Sequence, residues 1–424
     1  MERIYTNEVK NHMGEKVLVK GFAQEIRDLK NIKFVILRDK EGTVQTIAHK
    51  KFTDEASHEL ISKTNQESSI LIEGEVCKNS EAKQGYEIKI GKFEIINNAE
   101  PLPIDISDKT NTGLDTRLDF RFLDFKKSKI QAIFKVQNEI LKSFREFFYE
   151  QGFIEMQPPC IIAAASEGGT DLFPVKYFEA DAYLAQSPQL YKQMLACAIE
   201  KVTMVTPVWR AEKHNTTRHI NEIRQMDIEV AFCNQVQVMK YIEDVVGHIV
   251  KKVKQKCPEE LEILGVNLKI PKGIYLSYDE AISKVRGKHG EDFTPEQERQ
   301  LCAMYPGDLV FTHSWPANLK PFYIMTKDAR SDAKYSEGFD ALYLGVEISS
   351  GGQRIHLPEL LIERLKTKGC DPKNFKSYID SFRYGAPPHA GWSIGLERLT
   401  QQICGLDNVK EATMFPRDRD RLIP

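Results

Sequence analysis

The sequence predicts an α+β protein in two parts: a small N-terminal β-barrel of OB type and a larger C-terminal domain with an antiparallel sheet flanked by helices. Three observations support this. Short alternating apolar runs punctuated by glycine fill residues 16–96. A long helical pattern starts at Ser128. Two alternating segments, Val202–Trp209 and Ile223–Ala231, then flank a polar loop, as in an antiparallel hairpin with a functional connection. At 424 residues the chain is too long for one core.

Composition narrows the class. Hydrophobic residues at 41% and charged residues at 28% describe a globular chain, neither fibrous nor disordered. No apolar run approaches the roughly 18 residues a membrane span needs, and Met1-Glu2-Arg3-Ile4-Tyr5 lacks the apolar core of a secretion signal. The eight cysteines are scattered without a Cys-x-x-Cys pair, so they read as reduced thiols of a cytoplasmic protein. Net charge is −2, and residues 1–100 hold 16 Lys+Arg against 17 Asp+Glu. Any nucleic-acid contact must therefore come from local placement, not from a global field.

In the first hundred residues the runs are Val17–Phe22, Lys33–Leu37, Val44–Ala48, Ile70–Val76, Tyr86–Ile90 and Phe93–Ile96. One helix-like segment, Asp54–Lys63, separates the third from the fourth. Five or six strands with a helix at that point suggest a barrel whose open face binds single-stranded nucleic acid. The expected boundaries are 1–100 for the barrel, 101–127 for a hinge opened by Pro101-Leu102-Pro103, and 128–424 for the second domain.

From Ser128, which can cap the start, Ile130, Ile133, Phe134, Ile140, Leu141, Phe144 and Phe148 recur at helical spacing until Gly152. Phe153–Pro159 then reads as a strand ending in a proline bend. Val236–Lys254 is an amphipathic helix, with Lys251, Lys252, Lys254 and Lys256 at its solvated end, and 284–300 is polar.

The hairpin loop holds Arg210, Lys213, His214, Arg218 and His219, with Glu212 alone to balance them. Guanidinium forks there can grip a polyphosphate, although the loop by itself is equally a solvated cationic turn. Two later stretches weigh against the bland reading. They are Gly345-Val346-Glu347-Ile348-Ser349-Ser350-Gly351-Gly352-Gln353-Arg354 and Gly385–Arg398, which contains Gly395-Leu396-Glu397-Arg398. Together with Arg210-Ala211-Glu212 they resemble the three motifs of class II aminoacyl-tRNA synthetases. With the ending Phe415-Pro416-Arg417-Asp418 they are similar to the aspartyl-tRNA synthetases of the archaeal/eukaryotic-cytosolic type. The resemblance covers essentially the whole chain.

It implies a ligase that joins L-aspartate to the 3′ end of tRNA(Asp) through an aspartyl-adenylate, with tRNA(Asn) open as a second acceptor. Such chemistry needs two anions held in line and their charge neutralised, which calls for arginines and Mg²⁺. By family match Arg210 and Arg398 are the catalytic clamps. Glu212 accepts from the adenine amino group, Arg218 and His219 reach the terminal phosphates, and Ile220, Glu347, Gly395, Leu396 and Glu397 complete the ATP site. Asp340, Glu347 and Ser350 are implied as Mg²⁺ ligands, a hard-oxygen set. Aspartate falls to Glu167, Gln189, Lys192, Arg210, Ser350 and Arg354, with Glu167 on the family's mobile loop beside Gly168-Gly169.

Arg27, Phe34, Gln45 and Glu87 match the anticodon-binding positions. Phe34 is otherwise a core aromatic, and Gln45 and Glu87 an exposed strand face. Phe153–Pro159 looks like the family's dimer-interface motif, so a homodimer is expected. Trp392-Ser393 departs from the glycines or Phe-Gly usual in the family near the adenine, which leaves open a narrower ATP pocket or an altered ATP affinity. Asparaginyl-tRNA synthetase and a non-catalytic RNA-binding paralogue are the alternatives.

Overall fold

The computed structural model describes residues 1–107, 112–163 and 172–424. They separate into two compact units, Met1–Asp105 and Ile106–Pro424.

In the first unit, β1 (Arg3–Ile4), β2 (Lys16–Leu29), β3 (Ile32–Arg38), β4 (Thr43–His49), α1 (Glu55–Ser62), β5 (Ser69–Lys78) and β6 (Tyr86–Asn97) follow in order. The sheet runs β1-β2-β3-β4-β6-β5, and β2 also pairs with β5, which closes it into a barrel. Strict alternation fills the interior: Val35 and Leu37 of β3 and Val44 and Ala48 of β4 are buried, while their neighbours face outward. Asp54 caps α1 by accepting from the Ser57 N–H at 2.8 Å. The two runs expected at 86–90 and 93–96 are one strand. Gly91 is the extra residue of a β-bulge opposite Glu73 and Gly74, and so does not end the strand.

The second unit opens with α2 (Leu114–Asp119), α3 (Arg121–Asp124) and α4 (Ser128–Glu150). Most of the segment expected as hinge is thus folded here. Arg121 is fully buried, donating to Asp124 at 2.6 Å and to the carbonyls of Glu411, Thr413 and Met414 at 3.0–3.1 Å. Those bonds fix residues 114–124 to the C-terminal segment. Ser128 is the first residue of α4, with Lys127 at the cap position and no side-chain cap bond, so the expected serine cap is absent. Gly152, at φ +78°, ends the helix.

There follow β7 (Ile154–Glu155), β8 (Ile161–Ile162), β9 (Pro174–Tyr177), β10 (Ala180–Leu184), α5 (Gln189–Ile199), β11 (Lys201–Trp209), β12 (Glu222–Ala231), α6 (Gln235–Lys256) and α7 (Pro258–Leu264). Then come β13 (Gly273–Ser277), α8 (Tyr278–Lys284), α9 (Pro295–Ala303), β14 (Leu309–His313), β15 (Gly338–Tyr343) and β16 (Val346–Gln353). The last are α10 (Pro358–Thr367), α11 (Lys376–Arg383), β17 (His389–Gly395) and α12 (Leu396–Cys404).

The main sheet is ordered β13-β14-β15-β16-β17-β12-β11-β7 and is antiparallel except at its edges, where β13–β14 and β7–β11 are parallel. One face carries the large core: Met226, Ile228 and Val230 of β12 and Ala390, Trp392 and Ile394 of β17 pack against α4, α6 and α12. The opposite face presents the alternate residues of the same strands, and there the core gives way to a polar cavity. All eight cysteines are unpaired, and no helix among the described residues is long and apolar enough to cross a membrane.

Candidate active site

A cavity of about 310 Å³ opens over the middle of the sheet. Its floor is β12, where Gln225-Met226-Asp227-Ile228-Glu229 sorts by period two: the apolar residues enter the core and Gln225, Asp227 and Glu229 face the other way. On β17 the same rule places Gly391, Ser393 and Gly395 on the cavity side. Gly391 must be glycine, because a Cβ there would lie 2.1 Å from a Glu229 carboxylate oxygen.

At one end the cavity holds two buried cations and two buried carboxylates. Lys192 of α5 donates to Asp227 at 2.7 Å and lies 3.6 Å from Glu229. Arg354, just past β16, grips Glu229 in a fork: Nε to Oε1 at 2.9 Å and Nη2 to Oε2 at 3.2 Å. Ser393 donates to the second oxygen of Asp227 at 3.1 Å, and Gln189 to Gln193 at 2.8 Å. Burial pushes the Glu229 carboxyl up, but Arg354 and Lys192 more than reverse this and hold it below the ordinary range. Neither bond uses Nη1, and Arg354 lines the cavity, so its guanidinium keeps donors for an incoming anion.

At the other end lie the loop residues. The hairpin pairs Trp209 with Glu222, and Arg210 N–H donates to the Asn221 carbonyl at 3.0 Å. Asn221 Nδ2 closes the loop base on the carbonyls of Arg210 and Glu212 at 2.6 and 3.0 Å. The C-terminal segment pins the tip: Lys410 donates to Asn215 at 2.8 Å, and Val409 N–H to the Thr217 carbonyl at 2.9 Å. Held this way, Arg210, Glu212, Arg218, His219 and Ile220 all line the cavity. Arg218 is aimed by Glu298 of α9 at 2.9 Å and by the Gly345 carbonyl at 3.4 Å. Arg398 of α12 donates to the Glu347 carbonyl at 2.9 Å. The His219 imidazole is pushed below its ordinary value by burial and by the charges of Arg398, His214 and Arg210.

The β15–β16 hairpin brings the candidate metal ligands to one face. Leu344 and Gly345 both have positive φ (51° and 93°) and make the tight two-residue turn. Asp340 lies opposite Ser350, while the register shifts so that Leu342, not Tyr343, faces Glu347 and Ile348 is left as the extra residue. Without that bulge Glu347 would project to the other side of the sheet. Burial and the charge of Asp340 raise the Glu347 carboxyl to about 7. No group of three or more acidic, His or Cys side chains among the described residues forms a ready cage for a metal. The two carboxylates and one hydroxyl of Asp340, Glu347 and Ser350 are an all-oxygen donor set, the chemistry a hard cation takes.

The cavity brings together Gln189, Lys192, Arg210, Glu212, Arg218, His219, Ile220, Glu347, Ser350, Arg354, Gly395, Glu397 and Arg398. Asp340 is reached through Lys320, which lines the cavity and bonds it. Two of the expected ATP contacts already have partners within the protein. Leu396 packs into the large core, and the Glu397 carboxylate already accepts the Arg224 N–H through both oxygens at 3.1 Å. Trp392 does not line the cavity. It is fully buried on the core face and donates to the Val238 carbonyl at 3.0 Å, so of the pair only Ser393 meets the cavity. Glu167 lies outside the described residues.

The sequence reading missed Asp227, Glu229, Gln225 and Lys320. The first three had a signal: polar residues alternating through an otherwise apolar strand. In the first unit, Arg27 lies opposite Phe34 across β2–β3, and Gln45 donates to Glu87 at 2.8 Å. Phe34 is half-buried on the outward row with Ile36, not in the core.

Comparison with known proteins gives the family and the domains. Residues 113–419 fit the family model of class II tRNA synthetases (D, K and N), and residues 17–96 fit the OB-fold nucleic acid binding domain. An aspartate–tRNA(Asp/Asn) ligase of Archaeoglobus fulgidus is 44% identical over 100% of both chains. An aspartate–tRNA(Asp) ligase of Pyrococcus furiosus is 45% identical over 99% of both. Among solved structures, asparaginyl-tRNA synthetase from Pyrococcus horikoshii, complexed with asparaginyl-adenylate, superposes with a TM-score of 0.95 at 32% identity over 100% of both chains.

Proposed function

We propose that this chain, which belongs to the class II tRNA synthetases of the D, K and N group, is an ATP-dependent aspartate–tRNA ligase. The observation that carries the reading is the buried Arg354–Glu229 and Lys192–Asp227 pairing at the amino-acid end of the cavity. It offers the Arg354 donors not taken by Glu229 to a side-chain carboxylate and leaves them stranded against an uncharged one. Full-length relatives named as aspartate ligases support the same choice.

In the first half-reaction the α-carboxylate of aspartate bonds to the α-phosphorus of ATP as the bond to pyrophosphate breaks. Arg210, whose guanidinium has no ion-pair partner among the described residues, clamps both anions. Glu212 accepts from the adenine amino group. Arg218, His219 and Arg398 take the outer phosphates, with Arg218 pre-aimed by Glu298. Asp340, Glu347 and Ser350 would hold Mg²⁺, whose charge offsets that of the phosphates. The tRNA 3′ end then attacks the adenylate carbonyl and AMP leaves. Arg27, Phe34, Gln45 and Glu87 present a stacking face, donors and an acceptor to the anticodon. Homodimerisation through Phe153–Pro159 and a cytoplasmic location belong to the same reading.

The test is ATP–pyrophosphate exchange run in parallel with aspartate and with asparagine. Exchange with aspartate alone is expected, and Arg210→Ala should abolish it while melting like the parent. Exchange with asparagine alone would move the assignment to the sister enzyme.

A further inference from the structure

The nucleotide end of the cavity already contains a cation of its own. Lys320 places its ammonium 2.6 Å from both carboxylate oxygens of Asp340, symmetrically, as a bound ion would sit. On its other side the ammonium lies 4.2 Å from the centre of the Trp315 ring. Trp315 is itself fixed, fully buried, with Nε1 donating to the Thr312 carbonyl at 2.9 Å. The backbone is shaped for this lysine. A Cβ on Gly338 would lie 2.9 Å from Lys320 Cγ, so glycine on the opening residue of β15 makes room for the stem. Lys320 is 7% exposed and its open side lines the cavity.

Resting on the metal reading above, we propose that Lys320 is a resident counter-ion that fills the metal position of the nucleotide-free enzyme and makes metal binding conditional on nucleotide. A divalent ion must approach Asp340 oxygens at about 2.0–2.1 Å, where the ammonium now sits, and would meet its full repulsion. With nucleotide present the ammonium has another anion to turn to, the terminal phosphates held by Arg218 and Arg398, and Asp340 is released to the metal. The free enzyme is thereby spared an unpaired acidic pair, and metal arrives as the metal–nucleotide complex.

The experiment measures Mn²⁺ binding to the full chain by electron paramagnetic resonance, with and without a non-hydrolysable ATP analogue and with no amino acid. Wild-type enzyme should bind Mn²⁺ weakly alone and tightly with the analogue. Lys320→Gln, which keeps a donor for Asp340 but removes the charge, should lower the Kd for Mn²⁺ in the nucleotide-free enzyme at least tenfold. Lys320→Arg should behave like wild type, and adding Asp340→Asn to Lys320→Gln should remove the gain. An unchanged or weaker nucleotide-free affinity in a folded Lys320→Gln overturns the proposal; should that variant not fold, an Mn²⁺ affinity in wild type that is equal with and without analogue overturns it. If no variant binds Mn²⁺ even with the analogue, the metal reading itself fails, which is a distinguishable result.

Discussion

Replacing Arg354 by leucine removes more than a substrate contact. Glu229 is 0% exposed and Arg354 2% exposed, and Arg354 forms two of the bonds that keep Glu229 ionised in the interior. Breaking one side of such a pair costs about 3–5 kcal/mol, whereas replacing both sides is close to neutral. Lys192, 3.6 Å from Glu229, compensates part of the charge, so Arg354→Leu should destabilise the protein by about 3 kcal/mol. Arg354→Leu with Glu229→Gln should recover most of it, because no charge is left stranded.

Catalysis should not recover. Both variants lose the guanidinium that reads the carboxylate, and kcat/KM for aspartate should fall by roughly 10⁴, about 5 kcal/mol of transition-state binding. KM for ATP should change little. Urea unfolding and pyrophosphate exchange separate the two effects. A double variant no more stable than the single one would refute the charge-stranding account, and a single variant within tenfold of wild type with aspartate would refute the assignment of Arg354.

Other outcomes follow from the same geometry. Trp392→Phe should cost about 1–3 kcal/mol through lost packing and the lost bond to Val238, with KM for ATP unchanged by steady-state titration. Phe34→Ala should weaken tRNA binding by about 1–3 kcal/mol and leave pyrophosphate exchange intact, which filter binding alongside exchange would show. Burial raises the Glu397 carboxyl to about 7 from its ordinary 4.5. The folded state therefore keeps a proton that the unfolded chain releases, and stability falls as pH rises from 4.5 to 7 and is flat above. Glu397→Gln should remove this slope and gain up to roughly 3 kcal/mol on wild type by pH 7, as chemical unfolding across that range would reveal.

The sequence by itself determined the elements whose signal is local. Alternation and glycine spacing marked the barrel strands, helical periodicity marked α4, and the two flanking runs marked the β11–β12 hairpin, because period and turn chemistry are written in neighbouring residues. The same locality made Arg210, Glu212, Arg218 and His219 legible as clustered charge on one loop, while Arg398 and the roles given to all five came with the resemblance. Tertiary structure decided whatever depends on partners distant in the chain. Lys192 meets Asp227 and Arg354 meets Glu229 only because β12 lies between β11 and β17 with its polar residues turned away from the core. Which face Trp392 takes, and therefore whether it narrows the cavity, is set by the register of β17 against β12 and β16. Glu347 shares a face with Asp340 only through the bulge at Ile348. Lys320, between β14 and β15, reaches Asp340 through a contact twenty residues apart in the chain. A strand's side-chain period fixes two faces but not which one meets solvent, core or substrate; packing makes that choice.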